Sequence, residues 1–426
     1  MQNRNGEHAA QVDVLLGLQW GDEGKGKVVD VLAQHYQVIA RFQGGPNAGH
    51  SLVFGKDKFV LHTIPSGIFR PRVRNIVASG VVVDPVSFLQ EVEVLTKAGI
   101  DVPAKLVLSR RANLILPTHK LLDAHYEKAK GNQKIGSTLK GIGPTYTDKI
   151  ARNGLRIGDV EQPDFLERYQ ALRDQHLTIL ANDTIDHTAL QQTENEWLHA
   201  AVELKRFTLD DTEYLVNDTL LGGTKVLAEG AQGTMLDIDF GAYPFVTSSN
   251  TICAGACTGM GVAPARIGNV YGIFKAYCTR VGAGPFPTEL HDATGEQMRV
   301  QGQEFGATTG RPRRTGWLDL VALKYAIMLN GVTHLIMTKA DVLSNFPTLR
   351  VAVSYGKEAR IPYGDTDSQA IQYRDFEGWQ CDISHCRRYD ELPQRLRKYI
   401  EFIEHETGVP ISIISLGPDR DDTLIR

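Results

Sequence analysis

Apolar residues fall along this chain in short runs that alternate with longer stretches of helical spacing. Val12 to Leu18 reads VDVLLGL, a Val- and Leu-rich run suited to a buried strand. A glycine-rich turn follows at once, and then Val28, Val29, Val31 and Leu32 repeat at helical spacing. Further apolar runs at Asn75 to Val83 and Lys105 to Ser109 alternate with polar, helix-like segments in the manner of βαβ units. The pattern predicts an α/β fold with a large, mostly parallel twisted central sheet flanked by helices. From Asp164 to Asn217 the chain turns polar, and Phe165, Leu166, Tyr169 and Leu172 mark one apolar helical face, which predicts a helical insertion before a strand at Lys225 to Ala228. Trp317 to Asn330 predicts an amphipathic helix stopped by Gly331, and the strand Val332 to Thr338 then delivers the residues TKAD. Asp390 to His405 repeats this arrangement, with Pro393 near its start, Gly408 past its end, and a strand at Ile411 to Ile414 leading into SLGPDR. In such folds ligands bind where loops leave the carboxyl ends of the strands.

A chain of 426 residues has room for two or three domains. No linker or repeat divides it, however, and the chemically dense loops are scattered from residue 20 to 417. One continuous catalytic domain over 12–426, behind a polar tail at 1–11, is therefore expected. A net charge of -4 gives no bulk attraction to nucleic acid or anionic lipid, so phosphate recognition must be local. The first residues lack a signal-peptide core and no stretch has the apolar length of a membrane span, which predicts a cytoplasmic protein. The five cysteines are odd in number and irregularly spaced, and form no disulfide framework. Cys381 and Cys386 flank His385, but no second pair completes a metal set.

Gly21 to Lys27 reads GDEGKGK, the GxxxxGK spacing of a phosphate loop set between a strand and a helix, so the expected fold is P-loop NTPase-like. Glycines let backbone amides close on phosphate oxygens, and Lys25 and Lys27 add positive charge. The next residue is Val28 where Ser or Thr normally reaches Mg²⁺, so an acid within the loop, Asp22 or Glu23, is the substitute. A second dense segment, QGGPNAGHS from Gln43 to Ser51, offers the amide of Asn47 and the proton carrier His50. A solvated charged turn and a structural histidine are the bland readings of these segments. The phosphate loop and TKAD by themselves also suit a GTP-binding switch protein with slow hydrolysis.

WGDEGKGK (Trp20 to Lys27) and GGPNAGHS (Gly44 to Ser51) together resemble the two signature segments of the adenylosuccinate synthetase family. The likeness continues in the family's order through IGSTLKGIGPTY (Ile135 to Tyr146), EGAQGTMLDID (Glu229 to Asp239), YPFVTSSNT (Tyr243 to Thr251), RVGAGPFPTEL (Arg280 to Leu290), GATTGRPRRTGWLD (Gly306 to Asp319), TKADVL and ISLGPDR. The resemblance implies a C–N bond-forming ligase of purine biosynthesis, in which GTP phosphorylates O6 of IMP and L-aspartate displaces the phosphate. It implies Asp22 as the base for N1 of IMP, His50 as a proton donor to the β–γ bridging oxygen, and Lys25 and Gln232 as further catalytic groups. One Mg²⁺ per subunit is implied on Asp22 and the carbonyl of Gly49. GTP is assigned to Gly21 through Lys27, Gly49, His50, Ser51, Arg313, Lys339, Ala340, Asp341, Ser415, Leu416 and Gly417. IMP is assigned to Asp22, Lys25, Asn47, Ala48, Gly49, His50, Ser137, Thr138, Arg152, Gln232, Thr247 and Arg311. Aspartate is assigned to Ala307, Thr308, Thr309, Gly310, Arg311, Pro312 and Arg313. In the family the residue matching Arg152 enters the neighbouring site, so a homodimer is implied. Asp341 suits guanine, since one carboxylate accepts from N1–H and N2–H₂ together, and adenine lacks that pair. This chain departs from commoner family versions at Ser137, Leu139, Lys140 and Pro46.

Overall fold

The computed structural model describes residues 10–306, 310–364 and 370–426. Most of the expected polar tail lies outside these residues, as do Ala307, Thr308 and Thr309. Among the described residues ten strands form one sheet. In chain order they are β1 (Val12–Gly17), β2 (Val38–Arg41), β3 (Arg74–Val77), β4 (Leu106–Ser109), β5 (Thr208–Asp210), β6 (Val226–Glu229), β7 (Ile267–Lys275), β8 (His334–Thr338), β9 (Ile411–Ser415) and β10 (Thr423–Ile425). Their order across the sheet is β10-β9-β8-β7-β1-β6-β2-β3-β4-β5, parallel throughout except for the β9–β10 pair.

Every residue of β1 is buried. Val12, Val14 and Leu16 enter one apolar core, whereas Leu15 enters another together with Val29, Ile39, Leu227 and Ile336. A strand covered on both faces needs apolar residues at both parities, which is why VDVLLGL does not alternate. β1 lies between β6 and β7, and the chain winds away from it in both directions. The loops leaving β1, β2, β6, β8 and β9 therefore gather at one edge, the carboxyl ends of the strands.

The segment expected as a helical insertion holds helices Phe165–Ile179, His187–Glu203 and Thr212–Leu221. Its stretch Thr208–Asp210 returns to the sheet as β5, a strand too short for periodicity to reveal. Trp197 fastens the insertion: its ring is buried, stacks on Tyr169, and donates Nε1–H to Ile115 O at 2.6 Å. The helix predicted from Trp317 begins at Leu320, because Leu318–Asp319 pairs as a strand and Asp319 then accepts from Ala322 N as the cap. The last helix runs from Gln394 to Thr407 behind Pro393, and Gly408 ends it in the left-handed conformation (φ 68°). No described helix is long and apolar enough to cross a membrane.

Candidate functional site

β1 ends at Gly17, and the phosphate-loop residues turn from it into the helix Lys25–Leu32. Gly24 caps this helix at φ 90°, and Gly26 permits contact with the second signature segment, since a Cβ there would sit 2.9 Å from the Cβ of His50. Asp22, Gln232, Gln303 and Lys339 are non-glycine residues at positive φ, and all four line one cavity. Backbone held in this sparsely populated region concentrates where function fixes geometry.

The two acids of the loop have different surroundings. Glu23 is fully buried; its carboxylate accepts from Gln19 N at 3.2 Å, Gly21 N at 3.0 Å and Lys25 Nζ at 2.5 Å. Its lone pairs are used in shaping the loop. Asp22 is 30% exposed at the cavity wall, with Arg313 Nε 2.8 Å from Oδ2. That contact is an ion pair, not an aligned hydrogen bond. A hard divalent cation prefers oxygen donors. The Glu23 oxygens are taken up within the loop, whereas Asp22 stays partly exposed at the cavity, which Gly49 also lines.

The lysines are also committed. Lys25 Nζ reaches the carbonyl of Gln232 as well as Glu23. Lys27 donates to Ser415 Oγ at 2.8 Å, Gly417 O at 2.7 Å and Asp422 O at 3.1 Å, so it ties the phosphate loop to the loop after β9. Burial lowers the Lys27 pKa to about 8, although Asp422 and Asp341 raise it.

Arg41, fully buried at the end of β2, organises the second signature segment by donating to Gln43 O, His62 O and Gly45 O. His50 opens the hairpin that follows. Its Nδ1 lies 2.6 Å from Glu229 Oε1, at the end of β6, and Nε2 has no partner among the described residues. Glu229 also accepts from Ser66 N at 2.8 Å and Ser66 Oγ at 2.7 Å. Burial holds the His50 pKa below its ordinary value despite Glu229. For Glu229 the balance is reversed: burial alone would raise its pKa, but His50, Arg41 and Ser66 hold it below the usual value. The resting pair is thus neutral imidazole donating Nδ1–H to a carboxylate. Gln232 Nε2 donates to Asn47 Oδ1 at 3.3 Å, and its Oε1 is buried without a partner among the described residues.

Asp22, His50, Asn47 and Gln232 border one cavity of about 1360 Å³, larger than a single small ligand needs. Gly21 through Lys27, Asn47 through Ser51, Ser137, Thr138, Gln232 and Thr247 line it, as do Arg313, Lys339, Asp341, Ser415 and Gly417. Asp341 Oδ1 is buried without a partner among the described residues, and burial raises the pKa of this carboxyl. Ala340 and Leu416 are buried but outside the lining. Gly310, Arg311 and Pro312 are exposed and also outside it. Arg152, exposed and left-handed at the end of helix Ile142–Ala151, does not line the cavity of its own chain.

The sequence reading passed over Glu229, Arg41, Lys275 and Glu304. Glu229, Arg41 and Lys275 left the same signal, a lone charge ending an apolar strand; Glu304 left none. It also passed over a cluster of His119, Asp148 and His176, whose ligand atoms lie within 4.8 Å of one another. Hydrogen bonding explains this cluster. Leu116 N donates to His119 Nδ1 at 2.8 Å, which puts the ring proton on Nε2, 2.8 Å from Asp148 Oδ2. His176 Nε2 reaches the same oxygen at 2.8 Å. A metal would need the Nε2 lone pair that this tautomer of His119 lacks.

The model of the adenylosuccinate synthetase family matches residues 14–424. The adenylosuccinate synthetase of Porphyromonas gingivalis is 57% identical over 420 residues, covering 98% of this chain and 99% of that one. The enzyme of Cytophaga hutchinsonii is 55% identical, covering 97% and 98%. The solved structure of fully ligated adenylosuccinate synthetase from Plasmodium falciparum superposes with a TM-score of 0.91 at 35% identity, covering 98% of this chain and 100% of that one.

Proposed function

Since the chain belongs to the adenylosuccinate synthetase family, its activity is the GTP-dependent ligation of L-aspartate to IMP, a C–N bond-forming step of AMP biosynthesis, and we propose that the cavity described above carries it out through the following groups. Asp22 accepts the N1 proton of IMP, leaving O6 nucleophilic toward the γ-phosphate of GTP. Transfer gives 6-phosphoryl-IMP and GDP; the aspartate amine then attacks C6 and phosphate leaves. His50 donates from Nε2 to the β–γ bridging oxygen as charge develops there. Glu229 holds the imidazole by Nδ1 and stabilises the cation from which that proton is given. GTP phosphates beside His50 favour this cation, opposing the burial that keeps the ring neutral at rest.

Gln232 and Asn47 read the hypoxanthine edge, and the open Oε1 of Gln232 is an acceptor for it. Lys25 sets positive charge behind the phosphates while holding the Gln232 backbone. Ser137, Thr138, Thr247 and Arg311 serve IMP, and the loop Ala307 to Arg313 takes aspartate. Asp341 accepts both guanine donors, with Lys339, Ala340 and Ser415 to Gly417 around the base. One Mg²⁺ per subunit would be held by Asp22 and the Gly49 carbonyl, where it supplies charge neutralisation to the phosphates; the oxygen donors of this wall fit such an ion. The exposed, left-handed Arg152 lies outside its own cavity, which supports a homodimer in which it serves the neighbouring site. A single catalytic unit over 12–426 and a cytoplasmic location complete the reading.

The observation that carries it is the convergence in one cavity of Asp22, of His50 backed by Glu229, and of an Asp341 oxygen without a partner among the described residues. The test mixes protein with GTP, Mg²⁺, IMP and L-aspartate and follows the ultraviolet change as inosine becomes a succinylated adenine. Signal should vanish on omission of any one component. GTP consumption without IMP or aspartate would instead indicate a GTP switch.

A further inference from the structure

Both legs of the loop that leads to Arg313 converge on Glu304, a fully buried carboxylate. Lys275 Nζ, itself fully buried, lies 2.9 and 3.0 Å from its two oxygens and also donates to Thr279 Oγ1 at 2.7 Å. The Tyr277 hydroxyl donates to Oε1, and Arg313 Nη1 donates to Oε2 at 2.5 Å. Lys339 Nζ stands 3.7 Å away. The backbone closes the same stem: Arg313 N donates to Glu304 O at 2.9 Å, Phe305 bridges Pro312, and Gly306 N donates to Arg311 O at 2.8 Å.

Burial alone would push the Glu304 carboxyl up, but Lys275, Lys339 and Arg313 outweigh it and hold the group well below the usual carboxylate range. The anchor is therefore a permanent anion, and a guanidinium fork suits it because its edges are separate donors. One edge of Arg313 is spent on Glu304. The Nε edge faces Asp22 at 2.8 Å without a well-aligned hydrogen bond.

We propose that Glu304, fixed by Lys275 and Tyr277, is a positioning residue for aspartate: it grips Arg313 through Nη1 and leaves the Nε edge to exchange between Asp22 and a carboxylate of the incoming amino acid. The proposal rests on reading 307–313 as the aspartate loop. Without aspartate, Arg313 holds Asp22 as an ion pair and weakens it as a base. When a dicarboxylate draws the guanidinium away, Asp22 is released to take the N1 proton of IMP. Phosphoryl transfer thereby becomes responsive to the presence of the second substrate.

Steady-state kinetics of Glu304→Gln test this. A charge-assisted hydrogen bond contributes about 1.5–3 kcal/mol, so KM for aspartate should rise about 10- to 150-fold while KM for IMP and GTP stays within about twofold. Glu304→Gln also leaves Lys275 as a buried unpaired cation, so Lys275→Met is combined with it to remove that charge. In the double variant the melting temperature should recover and the aspartate KM should remain high. A double variant with wild-type KM for aspartate, or a single variant in which all three KM values rise together, overturns the proposal. Should neither fold, Glu304→Asp keeps the charge but withdraws it from Arg313, and an unchanged aspartate KM there overturns it equally. Wild-type protein assayed alongside separates the two failures. If its turnover does not require aspartate, the underlying site reading fails; if it does and the variants match it, only the proposal fails.

Discussion

Glu229→Gln isolates the role of the carboxylate behind His50. Glu229 Oε1 lies 2.6 Å from His50 Nδ1, and the same carboxylate is held by Ser66 N and Oγ. Glutamine can keep the bond from Ser66 N, but its amide group then faces Nδ1. The imidazole must turn to the opposite tautomer and loses its anion. Charge-assisted hydrogen bonds contribute about 1.5–3 kcal/mol, equal to about one to two pKa units on the imidazolium. Removing the anion lowers the pKa of His50 further, so the protonated form is lost at lower pH. In the ternary complex kcat should fall about 10- to 150-fold near neutral pH, and the alkaline limb of its pH profile should move down by about one to two units. Saturating initial rates across pH 5.5–9.5, with folding checked by melting, provide the measurement. Buried Arg41 also loses charge compensation from Glu229, so some loss of stability accompanies the change. An unchanged alkaline limb in a folded, impaired variant, or a limb displaced upward, refutes His50 as the proton donor set by Glu229.

Three further outcomes follow from the same geometry. Asp341→Asn replaces an acceptor with two oxygens by an amide whose NH₂ clashes donor to donor with guanine, and kcat/KM for GTP should fall about 5- to 150-fold; in the wild type, because burial raises the Asp341 pKa, KM for GTP should climb as pH is lowered. Lys27→Met cuts the three bonds to Ser415, Gly417 and Asp422, so KM for GTP should rise by at least about tenfold with KM for aspartate unaltered, and an effect on kcat alone would contradict this. Although burial opposes it, His119 and His176 hold Asp148 well below the usual carboxylate pKa; its stabilisation is therefore present above its unfolded pKa near ~4 and is lost as pH falls toward the folded value, and Asp148→Asn should lower stability at pH 7 by about 1–3 kcal/mol in thermal melts.

Part of this was legible in the chain and part was not, and the division follows the range of the forces involved. β1, the phosphate loop and the helix after it are contiguous, so periodicity and glycine spacing expose them; TKAD at the end of β8 and SLGPDR after β9 are legible for the same reason. β5 has only Thr208, Leu209 and Asp210, too few residues to show a period. Sequence chemistry left Asp22 and Glu23 as alternatives, and only the folded loop separates them, because Glu23 meets Lys25 and two backbone amides while Asp22 remains at the cavity wall. Buried charges are costly unless paired. Here the partners are distant along the chain: Lys27 meets Ser415, His50 meets Glu229, Lys275 meets Glu304. Each of these contacts joins residues at least 29 positions apart, so no local pattern reveals the pairing. The desolvation cost of each charge is offset only when both loops are in place. The loops at this edge of the sheet are thus held in register by contacts between residues distant in the chain, and a substitution at Glu304 should change substrate affinity without touching a motif that sequence chemistry would have chosen.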